Sequence, residues 1–144
     1  MSDNDSIFDA AKSLIVTKLK GDHEAHLHVG PLVLDFARTE LAKPGATTKK
    51  VLSETCHGVL SGLLLLDKDV VVGAVETLKS LTQIIQERSG DPMRTMSYAL
   101  EGVARIGSAV SSGTLSDIND KIEAEFMGAG EQFSQFAEQY HKKS

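Results

Sequence analysis

Apolar residues recur every three or four positions along most of this chain, and this periodicity constrains the fold more than any other sequence feature. Such spacing places apolar side chains on one face of an α-helix. The first segment is typical, since Ile7, Leu14 and Ile15 share a face and Gly21 follows the last periodic residue. The pattern predicts helices over residues 6–20, 32–42, 47 or 48–66, 69–88, 93–111 and 115–141.

Residues that start and stop helices separate these segments. In the sequence Ser89-Gly90-Asp91-Pro92, the glycine is predicted to end one helix, the aspartate to cap the next and the proline to occupy its first turn. Further on, Gly113 is expected to end a helix and Thr114 to cap the last one. Gly128 and Gly130 weaken the middle of that last helix, so they are expected to bend it or to admit a close neighbour.

Residues 22–30 fit no regular helix. Polar and apolar residues nearly alternate here, as in a strand, but the chain offers no evident partner strand. We predict an ordered loop or an irregular helical turn. Gly30-Pro31 then interrupts the pattern, and Pro31 suits the first position of the helix that follows.

These segments together predict an all-α fold, a bundle of five to six antiparallel amphipathic helices joined by short turns. The 144 residues fit one domain, so residues 1–144 are predicted to form a single helical-bundle domain in which residues 1–5 are flexible. Residues 53–59 also resemble residues 97–103, 44 positions later, as duplication of a helical hairpin would produce.

Charge and composition argue against several classes of function. The net charge is −5 and aromatic residues make up 5%, so neither a basic surface nor a stacking platform for nucleic acid is expected. The single cysteine cannot form an internal disulfide, and no apolar run could span a bilayer. The chain also lacks a Walker loop, a nucleophile elbow and a His-Glu-x-x-His motif. We expect a soluble cytoplasmic protein that requires no cofactor and is not an enzyme.

The segment 22–28 concentrates potential metal ligands. His23, His26 and His28 lie beside Asp22 and Glu24, and imidazole with carboxylate suits a divalent transition metal. In an extended segment His26 and His28 would share a face, whereas in a helix His23 and His26 would do so. The three histidines therefore form a candidate metal site, with a solvated polar loop as the alternative.

Two Glu-x-x-His pairs, Glu54 with His57 and Glu138 with His141, have the spacing used in carboxylate-bridged di-iron bundles. The second pair lies off the apolar side of its helix and near its end, which argues against a buried iron site. Cys56 and His57 could suggest a thiolate–imidazole pair, but adjacent residues on a helix point about 100° apart, so the two side chains do not face each other. Cys56 is instead predicted to be a buried thiol.

Glycines inside predicted helices indicate close packing. Gly58 and Gly62 have a small-xxx-small spacing, and Gly102 and Gly107 repeat it loosely. Each helical glycine costs up to about 1 kcal/mol relative to alanine, so a compensating close contact is expected. We predict that these four glycines lie at helix–helix interfaces, within the chain or between chains.

The sequence thus favours a non-enzymatic helical interaction protein, which self-associates or binds a protein partner through an apolar helix face. Apolar runs at residues 59–66 and 70–75 support this, since a helix that is apolar nearly all round is either central or covered by a partner. One alternative is a protein that binds a divalent metal through the histidine segment. Another is a peripheral binder of lipid or of apolar particles, which lacks the basic polar face that anionic lipid favours.

Overall fold

A computed structural model describes residues 6–88 and 90–142 of the chain, and these residues form seven α-helices. The all-α prediction is confirmed, but the number of helices is seven where five or six were predicted. Two short 3₁₀ segments, Ala25–Leu27 and Arg105–Ser108, also occur. The helices are α1 Ile7–Leu19, α2 Val29–Leu41, α3 Thr48–Leu65, α4 Val70–Glu87, α5 Pro92–Ala104, α6 Ser112–Glu125 and α7 Ala129–Lys142.

Side-chain caps fix where several helices begin. Ser6 and Thr47 cap α1 and α3, and Asp69 and Asp91 each accept two backbone N–H groups at the start of α4 and α5. Each cap satisfies N–H groups that have no partner within the helix. The prediction of a cap at Asp91 with proline next to it is confirmed, and Gly90 adopts a positive φ of 138°. Ser89 and residues 1–5 lie outside the described residues.

Three predicted boundaries are wrong. The helix predicted over residues 93–111 ends at Ala104, where the chain tightens into the 3₁₀ segment. Helix α6 begins at Ser112 and is capped by Ser111, so Gly113 lies within its first turn and Thr114 donates its N–H to the cap. Helix α2 begins at Val29, before Pro31, which fits because a first-turn residue needs no helical N–H partner.

The predicted helix over residues 115–141 is two helices. Helix α6 ends at Glu125 and α7 begins at Ala129. Gly128 lies between them with a φ of 92°, a left-handed conformation that glycine adopts without strain. The glycines therefore break this helix rather than bend it.

The helices pack in two layers. In the odd layer α3 lies between α1 and α5, and α5 also packs against α7. In the even layer α4 lies between α2 and α6. Helices that follow each other in the chain also contact across the layers, except α5 and α6, so the fold is a two-layered stack of helical hairpins. Stacked helical hairpins of this kind also build helical-repeat proteins.

Two of the predicted interface glycines hold α1 against α3. A Cβ atom at Gly58 would overlap the carbonyl oxygen of Phe8, and one at Gly62 would lie 2.9 Å from the Cβ of Ile15. Any side chain at either position would force the two helices apart. Gly58 and Gly62 are buried at a contact within the chain.

The other two predicted glycines occupy the next contacts of the odd layer. A Cβ at Gly102 would overlap the carbonyl of Ser53 in α3, and one at Gly107 would lie 3.1 Å from the backbone nitrogen of His141 in α7. Both are buried. Gly58 and Gly102 are equivalent in the two similar sequence segments, and each faces the preceding odd helix. This equivalence agrees with a duplicated hairpin.

Candidate interaction surface

A carboxylate stabilises the break between α6 and α7. The side chain of Glu123 accepts hydrogen bonds from the N–H groups of Gly128, at 3.0 Å, and of Gly130, at 2.9 Å. These bonds lower the pKa of Glu123. The chain is thus fixed between Phe126, the last residue to bond back into α6, and the first turn of α7.

Met127 lies at this break and points into solvent, with 92% of its surface exposed. Met93, in the first turn of α5, is 57% exposed, while Met96 and Phe126 are half-buried. We call these four residues the methionine patch. Large apolar side chains this exposed are notable when they form a continuous surface rather than occurring singly.

A cleft of about 240 Å³ lies within the methionine patch. It is formed by the end of α4, the start of α5 and the α6–α7 break, and apolar atoms predominate on its walls. The lining residues are Thr82, Ile85, Gln86, Pro92, Met93, Met96, Phe126, Met127 and Ala129.

Acidic residues lie beside the methionine patch. A more polar depression adjoins the cleft at Met93, and Asp91, Arg94 and Glu131 line it. Glu125 directly precedes Phe126, and Glu123 holds the break. We call Asp91, Glu123, Glu125 and Glu131 the acidic rim. In the described part of the chain none of the four carboxylates forms an ion pair, and Arg94 is the cation among the residues that line the depression.

The predicted metal ligands lie elsewhere and do not converge. His28 donates from Nδ1 to the carboxylate of Asp22 at 2.7 Å, which raises the pKa of His28 and lowers that of Asp22. His26 has a buried Nδ1 without a hydrogen-bond partner among the described residues. Lys68 donates to the backbone carbonyl of His23 at 3.5 Å. Within residues 6–88 and 90–142, no three side chains of His, Cys, Asp or Glu could hold a metal ion. Metal binding at the three histidines stays a prediction.

The Glu-x-x-His pairs serve separate contacts between helices. Glu54 accepts a hydrogen bond from the backbone N–H of Phe8 at 3.1 Å, and His141 bonds through Nδ1 to the carbonyl of Gly107 at 2.9 Å. Cys56 is fully buried, and burial raises the pKa of its thiol. A reactive cysteine needs the thiolate, so this environment favours a structural role.

A half-buried polar cluster joins three odd helices. The carboxylate of Glu101 in α5 accepts hydrogen bonds from Ser53 in α3, at 2.5 Å, and from Tyr140 in α7. Burial opposes ionisation of Glu101, but the two hydrogen bonds and the positive charges of Arg105 and Lys49 together outweigh it and lower the pKa of Glu101. Each carboxylate oxygen of Glu101 accepts one of these hydrogen bonds, so the cluster connects α3, α5 and α7.

The sequence did not predict the methionine patch. By their spacing, Phe126 and Met96 fit the apolar sides of the helices predicted over residues 115–141 and 93–111, and nothing in the sequence distinguishes Met93 or Met127. The available signal was Gly128-Ala129-Gly130 directly after Phe126-Met127, since a helix that ends there exposes its last apolar residues. Comparisons with models of protein families, with curated proteins and with solved structures found no match to this chain.

Proposed function

We propose that this chain is a non-enzymatic interaction protein that binds a protein partner through the methionine patch. The observation that carries the proposal is the exposure of Met127 and Met93 beside an apolar cleft. Exposed, contiguous apolar surface of this kind marks interaction sites in soluble domains. Methionine side chains are flexible and polarisable, which suits a surface that adapts to a partner.

The size of the cleft supports a protein partner over a small molecule. About 240 Å³ is less than the roughly 300–1,000 Å³ typical of small-molecule sites. A cleft of this size suits one or two apolar side chains of a partner. The stacked hairpins agree with this role, because such stacks present extended surfaces for binding.

The other predicted functions have less support. A second copy of the chain would bring its own acidic rim against the first, so patch-to-patch self-association is opposed by like charges. Carboxylates around the methionine patch also oppose an anionic lipid surface. In the described part of the chain no helix is both long and apolar enough to cross a membrane.

Selection of helical peptides displayed on phage tests the proposal directly. We expect enriched peptides to share apolar residues at i, i+3 or i+4, and i+7, and to compete with one another for the protein. The double variant Met93→Ser/Met127→Ser should bind them at least about tenfold more weakly, because interface energy concentrates in a few apolar contacts.

The matched control is Leu65→Ser. Leu65 is 63% exposed and lies at the end of α3, next to the start of α4. Helix α4, about 27 Å long, separates it from the methionine patch. This variant should bind the selected peptides as the wild type does. Peptides that bind the Met93→Ser/Met127→Ser variant as tightly as the wild type would show that the proposal is wrong.

A further inference from the structure

The acidic rim restricts which partner the methionine patch can accept. Asp91 and Glu131 line the depression that adjoins the apolar cleft, together with the cation Arg94. Glu123 binds the backbone next to Met127, and Glu125 precedes Phe126 in the chain. A partner that covers this surface removes water from the neighbourhood of these charges. Unless the partner supplies positive charge, their mutual repulsion and the loss of hydration oppose binding.

Two of the four carboxylates are held in position by hydrogen bonds from the backbone. Asp91 is fixed because its carboxylate accepts the N–H groups of Met93 and Arg94. Glu123 is fixed by the N–H groups of Gly128 and Gly130. These hydrogen bonds leave the negative charge in place, so this half of the acidic rim is preorganised before any partner arrives. Preorganised charge of this kind determines which partner binds and how fast it associates.

We infer that the partner segment is a basic amphipathic helix, with apolar side chains that enter the cleft and lysine or arginine residues that face the acidic rim. The inference rests on the proposed function and adds the charge and form of the partner. An amphipathic helix is the segment that delivers apolar side chains at i, i+3 and i+7 to a shallow groove. The flexible methionines can then close around whichever apolar residues it carries.

Two synthetic helical peptides with the same apolar face test the inference, one with lysine and one with glutamate at the flanking positions. We expect the lysine peptide to bind at least about tenfold more tightly at about 0.05 M NaCl. At about 0.5 M NaCl the ratio should fall to about threefold or less, since the Debye length shrinks from more than 10 Å to less than 8 Å.

Charge variants assign the preference to the acidic rim. Glu125→Gln/Glu131→Gln should remove most of the preference for the lysine peptide. The matched control is Glu24→Gln/Asp35→Asn, which removes two exposed carboxylates from the segment between α1 and α2 and from α2. This variant should keep the preference for the lysine peptide. Circular dichroism melts establish that each variant is folded.

The outcomes separate the two proposals. Equal affinities for both peptides, lost in Met93→Ser/Met127→Ser, would overturn the charge inference and leave the proposed function standing. Affinities that do not change in that variant would overturn the proposed function as well. Tighter binding of the glutamate peptide, or no binding of either peptide, would overturn the inference.

Discussion

At the scale of single residues, His57 is the titratable group with the most unusual surroundings. Its ring lies 4.3 Å from the ring of Phe8, and its Nδ1 is buried without a partner among the described residues. Burial and the positive charges of Arg105 and Lys12 lower the pKa of His57 to about 4, while Glu101 acts in the opposite direction. The imidazole is therefore neutral in the folded protein at neutral pH.

This environment predicts a loss of stability in acid. The unfolded chain takes up a proton at His57 below pH 6.5, but the folded protein takes it up only below about pH 4. Protonation therefore favours unfolding across this window, and the full loss is reached below about pH 4. The shift corresponds to roughly 3 kcal/mol for a fully buried group, and the exposed part of the ring reduces it to about 1–2 kcal/mol. Urea unfolding at pH 7 and pH 4.5 measures it, and His57→Gln should show a smaller loss.

His28 provides the control because its pKa is shifted the other way. Its hydrogen bond to Asp22 raises the pKa of His28, so any stability it contributes is present below pH 6.5 and is lost as pH rises. His28→Gln should therefore not reduce the loss of stability in acid. Identical pH dependence in the wild type and in His57→Gln would contradict the prediction.

Residue roles set by sequence neighbours could be predicted, and those set by distant neighbours could not. Asp91 caps α5 because the N–H groups that it accepts belong to the next residues of the chain. The surroundings of His57 come from Lys12 and Arg105, which are each more than 40 residues away. No local sequence pattern predicts that these residues lie close together, because this depends on how α1, α3 and α5 pack.

At the scale of elements, the glycines of the odd layer determine how closely its helices approach. Gly102 of α5 faces the backbone carbonyl of Ser53 in α3 at a distance that leaves no room for a Cβ atom. The glycines lower helix propensity, and the close contact between helices offsets that cost. The sequence predicted such contacts, but it could not decide whether they lie within or between chains. The structure places all four predicted glycines at contacts within the chain.

Gly102→Ala should therefore destabilise the protein. The added methyl group would push α5 away from α3, and overpacking of this kind costs about 1–3 kcal/mol. That exceeds the gain of up to about 1 kcal/mol that alanine brings to a helix. The free energy of unfolding in urea measures the difference.

Gly113→Ala is the matched control for this prediction. Gly113 lies in the first turn of α6, and the nearest atom to an added Cβ is the Ser111 hydroxyl oxygen, at 3.7 Å. With space for the methyl group, this substitution should raise the free energy of unfolding by about 0.4–1 kcal/mol. If Gly102→Ala were as stable as the wild type, the close contact between α3 and α5 would not limit the packing.

At the scale of the whole molecule, the sequence could not predict that alternate helices pack against each other. Periodicity identifies which face of each helix is apolar, and this was enough to predict an all-α fold. It does not say which helices are neighbours. Short turns suggested that consecutive helices pack most closely, yet α1 packs far more against α3 than against α2. The resemblance of residues 53–59 to 97–103 was the one sequence signal of repetition, and both segments lie in the odd layer.

The methionine patch could not be predicted from the sequence for a related reason. It joins the end of α4, the start of α5 and the α6–α7 break, which come together only when the hairpins stack. The apolar periodicity also predicted a single helix where α6 and α7 lie. Met127 would then be within a helix instead of at an exposed end. The candidate site thus forms only in the assembled fold. The sequence gives the net charge of −5, but it does not show which acidic residues lie beside the site.

The methionine patch and the acidic rim together predict how self-association of the chain depends on salt. Two copies that meet through the methionine patch would bring eight rim carboxylates together, so self-association should be weak at about 0.05 M NaCl. Salt screens this repulsion, so association should increase at about 0.5 M NaCl. Light scattering at several protein concentrations measures it. Binding of a basic helix should have the opposite salt dependence, because there salt weakens an attraction.

Variants separate this effect from general loss of solubility in salt. Glu125→Gln/Glu131→Gln should associate already at about 0.05 M NaCl, since it removes half of the rim charge. Met93→Ser/Met127→Ser should stay monomeric at both salt concentrations, because the apolar surface that joins the copies is gone. Association that is strongest at low salt would contradict the prediction, as would association that persists in Met93→Ser/Met127→Ser. In the first case attraction between unlike charges would join the copies, and in the second the contact would lie outside the methionine patch.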